Sequence, residues 1–310
     1  MENSTEIYFF VLQGLKELMP NKNTYFVVTL LVYLFTLVVN QILIVTIILE
    51  KTLHEPMFIF LCSLCINGIY GASTFYPKIL LDLSSYMRVT SYEACLSQIF
   101  MLYSYAPCEF TTLAVMAYDR YIAICKPLNY HSIITPRRVA NLLILTWLSS
   151  ICESVVVVAL IARLPLCGFK IDKLYCTGWA VIKLSCVDTT INNIYGSVLM
   201  FIHVAEALVI CFSYVNIVKA SLRSQEERNK FMQTCLPHLI SLGNFVFAGV
   251  FDIMYARYGS STRVLGLSHF MSLEYLVVPP LLNPLMYGLK LKQIRQRIFR
   301  VCSRKNNSLK

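Results

Sequence analysis

The feature that most constrains this chain is a stretch of 25 residues, positions 25–49, that contains no charged side chain. An α-helix rises about 1.5 Å per residue, so roughly 20 apolar residues cross a bilayer core about 30 Å thick. An uninterrupted apolar helix of this length is typical of a membrane span and not of a soluble core. The stretch therefore predicts a transmembrane helix.

Six further apolar stretches follow, each with at most one acidic residue and no Lys or Arg. They occupy positions 57–77, 94–118, 139–162, 194–218, 231–251 and 265–289. Charged residues make up only 14% of the chain, against about 25% in soluble domains, which is too few to coat a water-facing surface. We predict an all-α membrane protein, folded as a seven-transmembrane helix bundle.

The positions of Lys and Arg predict which side of the membrane each loop faces. With the N-terminus outside, the cytoplasmic segments hold 17 of these residues and the outer segments hold 10. Positive charge is enriched on the cytoplasmic side. We therefore expect an extracellular tail at 1–24, the transmembrane domain at 25–289 and a cytoplasmic segment at 290–310. The net charge of +10 then reflects topology and contact with anionic membrane lipid, not nucleic-acid binding.

The two terminal segments carry signals of their own. Positions 3–5 form a glycosylation sequon, so Asn3 is an expected glycosylation site in the outer tail. Residues 1–20 lack a basic start followed by an apolar core, so the first span would act as the insertion signal. Positions 293–302 predict a short amphipathic helix lying on the inner membrane surface. Such a chain is expected at the plasma membrane as a multi-pass protein.

Cysteine and histidine positions bound the chemistry further. Four of the twelve cysteines lie on the outer side, namely Cys95 at the outer end of the third span and Cys167, Cys176 and Cys186 in the loop that follows the fourth. The oxidising side of the membrane favours two disulfides among them, and spacing alone permits three pairings. The histidines are scattered over different segments, and His238 has no second ligand at metal-binding spacing. We therefore expect no metal and no cofactor.

Four motifs identify the kind of bundle. They read LHEPMF at 53–58, MAYDRYIAICKPL at 116–128, SY at 213–214 and PLLNPLMY at 280–287. Together with Lys230, Phe231, Thr234, Cys235 and His238 at the start of the sixth span, they resemble rhodopsin-like (class A) G-protein-coupled receptors. The form is that of the odorant, or olfactory, receptor family. The resemblance covers nearly the whole chain, and LCING at 64–68 is similar to the fish branch of that family.

The resemblance implies a receptor for a small-molecule odorant that activates a stimulatory, cyclic-AMP-raising heterotrimeric G protein. The sixth span would swing outward at its inner end and open a cytoplasmic cleft. The implied coupling and switch residues are Asp119, Arg120, Tyr121, Tyr214, His238, Asn283, Pro284 and Tyr287. The resemblance also implies a Cys95–Cys176 disulfide with Cys167–Cys186 as a second, while Cys95–Cys186 remains the competing pairing.

The ligand site implied by the resemblance lies in the outer half of the bundle, between spans three, five, six and seven. Its lining residues would be Leu102, Tyr103, Ala106, Val198, Ile202, Gly249, Val250, Ile253 and Leu273. Ala106 and Gly249 are small enough to leave space, and Pro107 should kink the third span. A mostly apolar lining with Tyr103 as a polar handle suits a small ligand.

The third span also carries an isolated acid, Glu109. Leu102, Ala106, Glu109 and Arg120 fall on one helical stripe, and a charge inside a span should face the bundle interior. Related receptors place an acid in the middle of the second span, where this chain has Gly68 with Asn67 beside it. We therefore expect Glu109 to form only a weak ion site.

Other classes fit less well. Transporters often contain inverted repeats and paired charges, and an enzyme needs a clustered set of catalytic groups; the sequence has neither pattern. A retinal-binding opsin needs a Lys in its seventh span, and 265–289 contains none. Amine receptors of this superfamily carry an Asp where Leu102 stands. A class A receptor for a lipid or peptide remains the alternative.

Overall fold

The computed structural model of the chain describes residues 9–14, 21–85, 88–222, 225–258 and 265–290. Asn3 and the amphipathic helix expected at 293–302 lie outside the described residues. The side chains of Ile253 and Tyr287 are likewise outside the described part.

Seven long helices form the described bundle. They are α1 (Lys22–Leu49), α2 (Pro56–Ser84), α3 (Tyr92–Cys125), α4 (Pro136–Ala162), α5 (Thr190–Ser221), α6 (Gln225–Tyr258) and α7 (Leu265–Lys290). Helices α1 to α5 are each long and apolar enough to cross a membrane, and α6 contains a shorter apolar segment, His238–Asp252. Each helix contains the stretch that was expected to form it, so the predicted seven-helix bundle is confirmed.

Capping side chains explain why α3 and α4 begin before the predicted spans. Ser91 Oγ accepts a hydrogen bond from the backbone N–H of Ala94 at 3.2 Å, and Thr135 Oγ1 accepts one from the N–H of Arg138 at 3.3 Å. Such oxygens satisfy donors that a helix start leaves unpaired. Pro136 occupies the first turn of α4, where its missing N–H costs nothing.

Helix α3 is the central element of the bundle. It packs against α2, α4, α5 and α6. Of its predicted stripe, Leu102 and Glu109 are buried, whereas Ala106 and Arg120 are half-buried. In contrast, the outer faces of α1, α4 and α5 expose large apolar side chains, including Leu31, Ile144 and Leu208. An apolar outer surface of this kind suits contact with lipid.

A small three-stranded sheet covers the outer end of the bundle and was not predicted from the sequence. Its strands are β1 (Phe9–Leu12), β2 (Val89–Ser91) and β3 (Lys170–Ile171), in the order β2-β1-β3. Strand β1 runs antiparallel to β2, with Phe10 opposite Thr90, and parallel to β3. The expected outer tail therefore includes an ordered strand.

Two disulfides hold the loop between α4 and α5. Cys95, at the start of α3, is bonded to Cys176, and Cys167 is bonded to Cys186. These are the two pairs that the family resemblance implied. Gln98 adds a polar contact, since its Oε1 accepts a hydrogen bond from the backbone N–H of Cys176 at 2.9 Å. The loop is thus fixed to the outer end of α3, above the centre of the bundle.

Candidate functional site

A cavity of about 440 Å³ opens in the outer half of the bundle, beneath this loop. Helices α3 to α7 and the loop between α4 and α5 all contribute to its wall. The lining residues are Leu102, Tyr103, Ala106, Pro107, Phe110, Glu153, Val157, Leu160, Ile161, Tyr175, Thr177, Trp179, Ile182, Asn192, Tyr195, Gly196, Leu199, Met200, His203, Val204, Ala207, Phe245, Val246, Gly249, Val250, Asp252 and Tyr275. Its size lies within the ordinary range for a small-molecule site, about 300–1,000 Å³.

Five of the expected lining residues lie on this wall. Leu102, Tyr103 and Ala106 come from α3, and Gly249 and Val250 come from α6. A Cβ atom at Gly249 would lie 3.1 Å from Cε2 of Tyr275. The absence of a side chain at 249 therefore lets α6 approach closely to the ring of Tyr275, which also lines the cavity.

The prediction of which α5 residues line the cavity was wrong by one position along the helix. Val198 and Ile202 face outward and are 48% and 45% exposed, while Leu199 and His203 line the cavity. Successive helical residues point about 100° apart, so a shift of one residue moves a side chain from the cavity to the lipid-facing surface. On α7, Leu273 packs against the hydrophobic core, and Tyr275 lines the cavity in its place.

Helix α4 and the outer loop also contribute, which the sequence interpretation missed. Glu153 on α4 lines the cavity together with Tyr175, Thr177 and Trp179 of the loop. A charged residue inside a span is expected to face the bundle interior, so Glu153 was a usable signal. The loop residues gave no comparable signal, because their position depends on the disulfide from Cys176 to α3.

The charged and imidazole side chains of the cavity wall form two clusters, each with one partner from outside the wall. On α4 and α5, Nε2 of His203 lies 3.5 Å from Oε2 of Glu153, and Nδ1 of the same ring lies 3.1 Å from Oε2 of Glu206. Nearer the outer surface, Nζ of Lys173 in the loop lies 3.1 Å from Oδ1 of Asp252 on α6. The first cluster joins two helices, and the second joins the loop to α6.

Glu109 is fully buried below the cavity and is already hydrogen-bonded on both oxygens. Nδ2 of Asn283 donates to Oε1 at 2.6 Å, and Nδ2 of Asn67 donates to Oε2 at 2.8 Å. At Gly68, a Cβ would lie 3.3 Å from Oδ1 of Asn40 and 3.4 Å from Pro280. The helices α1, α2 and α7 therefore approach closely at the position where related receptors carry a second acid.

The C-terminal end of α3 holds Arg120 against its neighbour Asp119. The guanidinium donates hydrogen bonds to Oδ2 of Asp119, from Nε at 3.0 Å and also from Nη2. The hydroxyl of Tyr130 donates to Oδ1 of the same carboxylate at 2.7 Å. Tyr130 belongs to a short helix after α3, and burial, followed by its hydrogen bond to Asp119, raises the pKa of its phenol.

The other described switch residues lie on α3, α5, α6 and α7. The hydroxyl of Tyr214 on α5 is hydrogen-bonded to Nδ1 of His238 on α6, and the two rings stack with centroids 5.6 Å apart. Nζ of Lys126 lies 5.9 Å from the ring centroid of Tyr121. Asn283 and Pro284 are buried in α7. Among the described residues, no group of three or more His, Cys, Asp or Glu side chains is arranged to hold a metal.

The model of the olfactory receptor family matches residues 29–305 of this chain. Human olfactory receptor 2G3 is 32% identical over 98% of both chains. Human olfactory receptor 2G6 is 35% identical over 94% of this chain and 93% of its own. Mouse olfactory receptor 4E2 is 34% identical over 97% of this chain and 99% of its own.

Among solved structures, squid rhodopsin has the same fold. The TM-score is 0.71 at 18% sequence identity, and the match covers 90% of this chain and 85% of rhodopsin. The structural similarity supports the arrangement of helices. The similarity of the motif at 64–68 to the fish branch stays a prediction, since these olfactory relatives are mammalian.

Proposed function

The chain belongs to the olfactory receptor family of G-protein-coupled receptors, and on that premise we propose where it binds its odorant and how it signals. The odorant binds in the cavity of about 440 Å³ beneath the disulfide-anchored loop. The receptor raises cyclic AMP through a stimulatory G protein on the cytoplasmic side. It works at the plasma membrane, with its N-terminus outside and its basic cytoplasmic segments on anionic lipid.

The observation that carries this proposal is the composition of the cavity wall. Apolar and aromatic side chains dominate it, and a few polar groups converge from α4, α5 and α6. A wall of this kind binds a small molecule by burial and fixes its orientation with one or two hydrogen bonds. The enclosing loop lies on the side that the distribution of Lys and Arg assigns to the exterior.

The proposed signalling step is a population shift between two packings of the bundle. Gly249, Val250 and Asp252 bring α6 to the cavity, and His238 of the same helix contacts Tyr214 near Arg120. A ligand that binds more tightly when α6 is displaced would favour the packing in which the contact between His238 and Tyr214 is broken and the inner cleft is open. Arg120, Tyr121, Tyr214 and Tyr287 would then face the G protein, while Asn283 and Pro284 shape the inner part of α7.

The experiment expresses the full chain with an olfactory-type stimulatory G protein and measures cyclic AMP against a panel of volatile and water-soluble odorants. At least one odorant should give a saturable response that cells without the receptor lack. Surface receptor that never raises cyclic AMP, but signals through another G protein, would contradict the stimulatory coupling. An N-terminal epitope tag should be accessible on intact cells, and glycosidase should shift the receptor's mobility unless Asn3→Gln is present.

A further inference from the structure

A group of ionisable side chains at the cavity wall formed by α4 and α5 has more acidic than basic members. His203 lies between the carboxylates of Glu153 and Glu206, at 3.5 Å and 3.1 Å. This group contains two carboxylates and one imidazole, which carries at most one positive charge. At least one negative charge in the group therefore has no counter-charge. The other charged residue on the described wall, Asp252, is paired with Lys173 and does not add to that excess.

Glu153 is the carboxylate that a ligand can reach. It lines the cavity, whereas Glu206 does not belong to the wall. Its Oε2 is buried and lies at the outer limit of hydrogen-bond distance from His203, while Glu206 lies closer to the same ring. Glu153 stands nine residues before the end of α4, which is about 14 Å inside the helix. A carboxylate at that depth gains from a second cationic partner, because burial without one is costly.

A series of aromatic rings leads away from this carboxylate across the cavity. The ring of Phe110 meets that of His203 edge to face, with centroids 6.0 Å apart. Phe245 stacks on Phe110 at 6.5 Å, and Tyr275 lies 4.9 Å from Phe245. Phe110, Phe245 and Tyr275 all line the cavity. Aromatic faces attract cations as well as apolar groups, so the rings and the carboxylate favour the same kind of molecule.

We propose that the cavity selects small amines that are protonated at neutral pH. The ammonium group binds at Glu153, and the apolar body packs on Phe110, Phe245 and Tyr275. The carboxylate comes from α4, whereas amine receptors of the same superfamily carry theirs on α3, where this chain has Leu102. This inference rests on the proposed function of the cavity as the ligand site, and it names the class of ligand.

The first experiment measures binding without signalling. Full-length receptor in lipid nanodiscs is titrated with cyclohexylamine, cyclohexanol and cyclohexanecarboxylate, and the rise in its thermal unfolding temperature reports occupancy. The linear set of hexylamine, hexanol and hexanoate is run in parallel, so that one molecular shape does not decide the result. The amine of at least one set should bind about tenfold or more tightly than its alcohol and its carboxylate. An alcohol or carboxylate that binds as well as its amine in both sets, or amines that produce no shift, overturns the proposal.

The second experiment assigns the selectivity to Glu153. Glu153→Gln should remove the preference for the amine while leaving binding of the alcohol within about threefold. Glu153→Asp keeps the charge and should restore much of the preference. Glu274→Gln neutralises an acid on α7 that does not line the cavity, and it should bind all probes like the parent. Equal loss of amine preference in Glu153→Gln and Glu274→Gln would show that the site at Glu153 does not exist.

The two readouts separate this inference from the proposed function. Amines that stabilise the receptor without raising cyclic AMP would leave the ligand class intact and contradict the signalling proposal. Odorants that raise cyclic AMP, while amines neither bind nor signal, would support the signalling proposal and contradict the assignment of the ligand class to amines.

Discussion

At the scale of single residues, we predict that Arg120 is needed for signalling rather than for folding. It is held by Asp119, which also accepts a hydrogen bond from Tyr130. In Arg120→Ala, Tyr130 remains as a partner for that carboxylate, so we expect surface expression close to that of the parent. Ligand-evoked cyclic AMP should fall by about tenfold or more, since the group expected to meet the G protein is gone.

The matched control for this variant is Arg163→Ala, which removes an exposed arginine just after α4 at the opposite end of the bundle. It should retain both expression and signalling. Flow cytometry of unpermeabilised cells gives expression, and a luminescent reporter gives cyclic AMP. Normal ligand-evoked signalling in Arg120→Ala would falsify the coupling role.

Two glycines on α6 test the cavity itself. Gly249→Leu should place its side chain beside Tyr275 in the cavity and lower agonist potency about tenfold or more, because it occupies the ligand's volume. Gly243 is on the same helix, and a Cβ atom added there would meet nothing within 4 Å. Gly243→Leu gains the same helix propensity without filling the cavity, so its dose–response curve should match the parent. If both variants match the parent, the ligand binds elsewhere.

Glu109 gives a prediction about sodium. Both of its oxygens already accept amide hydrogen bonds, from Asn67 and Asn283, and the second helix has Gly68 where related receptors carry an acid. Replacing sodium with potassium in an agonist-binding assay on isolated membranes should therefore change agonist affinity by less than about threefold. A much larger sodium effect that disappears in Glu109→Gln would contradict this.

At the scale of elements, the outer sheet depends on one face of β1. Phe10 is fully buried, whereas its neighbour Phe9 is 50% exposed, as expected for side chains that alternate along a strand. Phe10→Ala should lower the free energy of unfolding by about 3–5 kcal/mol, the usual cost of removing a buried Phe. Phe9→Ala should change it by less than about 1 kcal/mol. Thermal unfolding of the purified receptor measures both, and equal destabilisation would show that β1 does not pack as described.

The helices were predictable from the sequence and β1 was not, for a physical reason. A membrane requires each span to satisfy its own backbone hydrogen bonds, so every span leaves a local signature in the sequence. The four residues of β1 form a strand only because β2 and β3, about 80 and 160 positions away, supply partners. Pairing of that kind leaves no local signature.

The register of α5 shows a second limit. The helix is apolar on its lipid-facing and cavity-facing sides alike, so hydrophobic periodicity does not tell Val198 from Leu199. His203 and Glu206 were the residues that could have set the register, because ionisable groups avoid lipid. The wall residues of α4 were missed for a similar reason, although Glu153 carried the same signal.

At the scale of the whole molecule, α6 connects the two functional ends. Its outer part is tied to the loop by the pair of Lys173 and Asp252, and its inner part contacts Tyr214 through His238. From His238 to Asp252 the continuous helix rises about 21 Å. A displacement at the cavity can therefore reach the cleft as movement of one rigid element.

This connection predicts that the outer ion pair restrains ligand-free signalling. In this structure Arg120 is bound to Asp119 and His238 is bound to Tyr214, so the contacts at the inner end of the bundle are closed. The ion pair of Lys173 and Asp252 is formed in this same packing. A partly exposed ion pair contributes up to about 1 kcal/mol, so Lys173→Gln or Asp252→Asn should each raise basal cyclic AMP by up to about fivefold. Basal cyclic AMP in the double variant should rise no further than in either single variant, because both substitutions remove the same interaction.

Lys170→Gln, at an exposed position in β3, is the control and should leave basal signalling unchanged. Basal signalling that stays at the parent level in both single variants would show that α6 is not restrained from its outer end.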